Sequence, residues 1–68
     1  MDLERIFTYH APTSHQLESY QAIREAALLF AEAIVEYTPK CADQTAAIRK
    51  VREAVMTANA AVALEGAV

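Results

Sequence analysis

Tyr20, Ile23, Ala27, Phe30, Ile34 and Tyr37 recur at alternating spacings of three and four, and the pattern stops at Thr38 and Pro39. Such spacing puts all six on one face of an α-helix, and a proline turns the residue before it away from helical geometry. After a break at Thr38-Pro39-Lys40-Cys41, the spacing resumes with Ile48, Val51, Val55, Ala58 and Val62. A connection this short makes consecutive helices antiparallel neighbours, so the pattern predicts a helical hairpin with a coiled-coil-like seam. Thr13-Ser14-His15-Gln16 has the spacing of a capping box and marks where the first helix starts. The chain thus divides into an N-terminal arm (1–12), a first helix (13–38) and a second helix (41–65), within one domain.

A hairpin of 68 residues is marginal on its own. Ordering costs about 1.5 kcal/mol per residue, and burial at about 25 cal/mol/Å² barely offsets it. Cys41 has no second cysteine in the chain to pair with, which leaves self-association as the expected support. Each helix also carries a second apolar strip: Leu28, Ala31 and Val35 on the first, and Ala47, Ala54 and Ala61 on the second. Small side chains of this kind let further helices approach closely. The expected fold class is therefore all-α: an antiparallel two-helix hairpin with a short N-terminal arm, assembled as a homo-oligomeric bundle. The plainer alternative is that alanine is there as a good helix former on a solvated surface.

Nine acidic and six basic residues give a net charge of −3, which argues against non-specific binding to DNA. No apolar run approaches the ~20 residues of a membrane span, and the first residues lack the cationic start of a secretory signal. With a single thiol, these features predict a cytoplasmic protein. His10 and His15 are too few and too poorly spaced for a metal site, and no cofactor motif is present. The only glycine, Gly66, rules out a glycine-rich phosphate loop. Glu18, Glu25 and Glu32 recur every seven residues, as a solvated helix face does, and are no catalytic pair. An enzyme is not expected.

The remaining groups suit a nucleotide. Tyr9 sits in the arm, where its ring is free to stack on a base, although packing over the end of the seam would serve equally. Arg24 follows a seam residue, so its guanidinium leaves the helix beside the seam and could fork onto a phosphate or pair with an acid. Arg49, Lys50 and Arg52 form a second basic cluster, which in most helices is a solvated face. Asn59, among Ala58, Ala60 and Ala61, is a polar group in an apolar stretch and needs partners; most such asparagines are structural and fix register.

Four segments together resemble the phage anti-CBASS cyclic-nucleotide sponge family, whose hairpin also occurs as a domain in Thoeris anti-defence sponges. They are Tyr-His-x-Pro at Tyr9 to Pro12, Tyr-x-x-Ile-Arg at Tyr20 to Arg24, the break with Pro39, and Met-Thr-Ala-Asn-Ala-Ala at Met56 to Ala61. The resemblance implies a homohexamer, a trimer of dimers, that sequesters cyclic oligonucleotide signals of bacterial defence without cleaving them. In the family, pockets between chains hold cyclic dinucleotides such as 3′,3′-cyclic GMP-AMP. An arm tyrosine stacks on a base there, and a first-helix cation meets the phosphates. Tyr9 and Arg24 match those two groups, and His10 and Asn59 complete the ligand-binding set read from the motifs.

Two departures bear on the ligand. Thr57 stands where the family often has tryptophan, and Leu64 where it often has arginine. Without that cation a cyclic trinucleotide of charge −3 is less well neutralised, so dinucleotides are the expected ligands and trinucleotides are left open. The rival reading is a small helical adaptor or antitoxin-like module whose apolar stripes bind a protein.

Overall fold

A computed structural model of the chain describes residues 1–8 and 11–65, without the Arg5 side chain. It contains three helices, α1 (Leu3–Phe7), α2 (Ser14–Tyr37) and α3 (Ala42–Ala63), and no strand among the described residues. The architecture is all-helical, with α2 and α3 forming a hairpin.

Local chemistry sets the ends of α2. Thr13 is extended (φ −82°, ψ 167°), its hydroxyl accepts from Gln16 N at 3.1 Å, and its own N–H donates to Gln16 Oε1 at 2.9 Å. Two of the N–H groups that a helix start leaves unpaired are satisfied in this way. At the other end Thr38 is extended (φ −127°, ψ 150°), the conformation Pro39 imposes on it. The Thr38 hydroxyl donates to the Ile34 carbonyl, and Gln44 Nε2 donates to Thr38 O at 3.2 Å and Oγ1 at 3.1 Å, fastening the turn to the first turn of α3. Helix α3 starts after Cys41 with no side-chain cap. It ends at Leu64, and Glu65 takes a left-handed conformation (φ 51°) that most side chains resist by about 1–2 kcal/mol.

At the open end of the hairpin Gln16 Nε2 donates to Val62 O at 3.1 Å. Ile23 and Ala27 of α2 face Val51 and Val55 of α3, and all four are half-buried along the seam. Phe30 and Tyr37 were expected in that seam but are 60% and 84% exposed. Ile34, between them in the repeat, stays half-buried and Phe30 lines the groove between the helices, so the ring at the edge of the seam is exposed because nothing covers that groove.

The hairpin is a single layer, and the chain measures 43 × 25 × 15 Å. A layer with nothing above or below has no interior. Among the described residues Leu64, 7% exposed, is the buried hydrophobic one, and no side chain is fully enclosed. Helix α1 brings no Cα within 8 Å of a Cα in α2 or α3. None of the helices is long and apolar enough to cross a membrane.

Candidate functional site

The two sides of the hairpin differ. One is a groove of about 520 Å³ lined by Ile23, Ala27 and Phe30 of α2 and Ala47, Ala54 and Ala58 of α3, with Lys50 as its charged member. The opposite side carries a shallower hollow between Ala31 and Val35 of α2 and Ile48 of α3, with Glu32 and Glu36 on its rim. The two strips expected beside the seam therefore lie on opposite sides: alanines of α3 line the first groove, Ala31 and Val35 the second hollow.

Arg24 belongs to the second side. At 100° per residue, Leu17, Arg24, Leu28, Ala31 and Val35 form one stripe of α2. On α3 the same periodicity groups Ile48, Arg52 and Asn59, with Met56 beside them. Arg24 and Asn59 thus share a side, and the alanine groove is behind them. Leu17, Leu28, Val35 and Met56, all on this side, are more than half exposed.

Two polar groups here have no partner among the described residues. Asn59 is half-buried, and among those residues its enclosed Oδ1 has no hydrogen-bond donor. Arg24 is exposed, and among the described residues it makes neither hydrogen bond nor ion pair. Its neighbours at three and four positions are Tyr20, Gln21, Ala27 and Leu28, none of them acidic. Glu25 is turned about 100° away and accepts from Gln21 Nε2 at 2.9 Å. Glu32 and Glu36 sit toward the turn, so this side is cationic near the open end and acidic near the turn.

The basic cluster of α3 is split. Arg49 and Lys50 line the outer surface with Glu53, whereas Arg52 falls on the stripe of Asn59. Sequence reading treated the three cations as one cluster and missed this, although the spacing Ile48, Arg52, Asn59 carried the signal. Tyr9 and His10, the other two predicted site residues, lie outside the described residues. Among the described residues no three His, Cys, Asp or Glu side chains are grouped to hold a metal ion.

What this side offers is binding chemistry: a donor-seeking amide, an unpaired guanidinium and exposed apolar surface. The family model described as "Acb2/Tad1, hairpin domain" matches residues 2–63, which takes in all three helices. The chain belongs to the Acb2/Tad1 hairpin family. This is a family of anti-defence sponges, which bind and sequester small nucleotide ligands and are not catalysts. No curated protein and no solved structure matches the chain. Leu64 falls just beyond the matched segment, and its side chain is packed away at the open end.

Proposed function

We propose that the chain is a phage-encoded sponge that captures cyclic dinucleotides such as 3′,3′-cyclic GMP-AMP and withholds them, uncleaved, from CBASS-type immunity in the cytoplasm of the infected cell. The observation that carries this reading is the pairing, on one side of the hairpin, of Arg24 without an acidic partner and Asn59 with an unsatisfied Oδ1. Arg24 meets a phosphate through a forked contact, and Asn59 Oδ1 accepts from a base or sugar donor. Tyr9 supplies the stacking ring, worth roughly 1–3 kcal/mol, and His10 lies beside it in the arm.

The working form is a homo-oligomer, a hexamer built as a trimer of dimers. Support comes from burial: one hairpin leaves Leu17, Leu28, Leu29, Phe30, Val35 and Met56 more than half exposed, and a second copy would cover such surface. Capture is an equilibrium, so each 1.4 kcal/mol of contact changes retention tenfold.

The test is calorimetric titration with a panel of cyclic dinucleotides and trinucleotides, together with the particle mass and chromatography of ligand released by heat. Tight binding of a dinucleotide that returns intact is the expected result. Absence of binding across the panel overturns the reading, and a linearised product would make the protein an enzyme. Arg24→Glu is expected to abolish capture with helicity unaltered; if affinity survives, the arginine has no such role.

A further inference from the structure

Helix α1 presents apolar side chains that its own hairpin does not cover. Leu3 and Phe7, four apart and so on one face, are 60% and 84% exposed, and Glu4 stands beside them. No Cα of α1 comes within 8 Å of a Cα in α2 or α3. A helix of five residues is not stable in water by itself, and a chain terminus stays ordered where something ties it down.

A surface of matching chemistry lies open on the hairpin. The groove of about 520 Å³ between α2 and α3 has an apolar lining, with Phe30 60% exposed, and Lys50 stands where it meets the outer surface of α3. Among the described residues no carboxylate lines this groove, and Lys50 makes neither hydrogen bond nor ion pair. Apolar side chains four apart on a helix are what such a groove accepts, and Glu4 has the charge opposite to that of Lys50. The groove of the same chain is a poor match. Phe30 stands about 24 Å along α2 from Ser14, and the seven steps from Phe7 to Ser14 cover about that distance when fully extended. A second copy meets no such limit.

We propose that α1 of one copy docks in the alanine groove of another, with Leu3 and Phe7 against the apolar lining and Glu4 toward Lys50, so that hairpins exchange arms. The docking needs no ligand and goes beyond the sponge reading. It bears on that reading through Tyr9, two residues past Phe7: an anchored arm holds the stacking ring at the boundary between two chains.

Glu4→Lys and Lys50→Glu test the exchange. In either full-length variant alone, arm and groove carry like charges; in a one-to-one mixture, each arm finds an opposite charge in the groove of the other variant. Sedimentation mass is measured over a series of concentrations, with circular dichroism to confirm helicity. Each variant alone is expected to need at least about tenfold more protein than the parent to reach the same mass, and the mixture to return to the parent's curve. Phe7→Asp, placed on a helix that the hairpin does not pack against, should weaken assembly by a similar factor with helicity kept. The exchange is overturned if the parent sediments as one chain at every concentration, or if Phe7→Asp keeps the parent's curve. It is also overturned if the double variant Glu4→Lys/Lys50→Glu recovers and the mixture does not, which would seat the arm on its own chain. A loss in Lys50→Glu with none in Glu4→Lys overturns it as well, because another part of the second copy would then fill the groove.

Discussion

Gln16 Nε2 donates to Val62 O at 3.1 Å, joining the first turn of α2 to the last turn of α3, 46 residues later. The same side chain accepts from Thr13 N at 2.9 Å through Oε1. One amide therefore closes the helix start and the open end of the hairpin together.

Gln16→Glu separates the two roles. A carboxylate still accepts from Thr13 N, but it cannot donate to Val62 and turns a negative oxygen toward that carbonyl. Unfolding followed by circular dichroism is expected to show a loss of about 1 kcal/mol. Gln16→Ala, which loses both bonds, should cost about 2 kcal/mol. No loss in Gln16→Glu would mean that the Val62 bond adds nothing, and equal losses for the two variants that the Thr13 bond adds nothing.

The scarcity of buried side chains leads to a second expectation. If copies of the hairpin cover one another, the thermal midpoint rises with protein concentration, because association stabilises only the folded chain. Melts over a hundredfold range of concentration test this. A constant midpoint, with a sedimentation mass of one chain, would show that the hairpin stands alone.

Much of the fold was legible because it rests on short-range rules. The capping box at Thr13 and Gln16 is formed, Pro39 ends α2 through Thr38, and two apolar stripes joined by a short break give a hairpin. What was not legible depends on contacts between helices. Phe30 keeps its place on the groove between α2 and α3, yet it and Tyr37 are largely exposed, which spacing along one helix does not reveal. The bond between Gln16 and Val62 joins residues 46 apart, and no local spacing announces it. Asn59 was recognisable as polar among alanines, but its lack of a partner could be read only once neighbouring helix surface was in place.

Asn59→Ala tests whether that unsatisfied oxygen is held for a ligand. An enclosed acceptor without a donor costs about 1–3 kcal/mol, and alanine is the better helix former. The ligand-free variant is expected to be more stable by about 1 kcal/mol and to bind cyclic dinucleotide more weakly. If stability falls instead, with affinity per folded site unchanged, Asn59 serves packing between copies.

Leu64→Arg tests the position at which the resemblance read from the sequence would put a cation. Leu64 is 7% exposed at the open end of the hairpin, so its side chain contributes about 1.5–3 kcal/mol by leaving water. Arginine cannot occupy that place without moving its charge outward, and the variant is expected to lose about 2 kcal/mol of stability. Once in solvent, the guanidinium adds a cation near the open end, which favours a ligand of charge −3 over one of charge −2. Titration with a cyclic trinucleotide is expected to tighten relative to the parent, while cyclic dinucleotide affinity changes little. Lost stability without any gain for the trinucleotide would show that position 64 serves the fold and not the ligand.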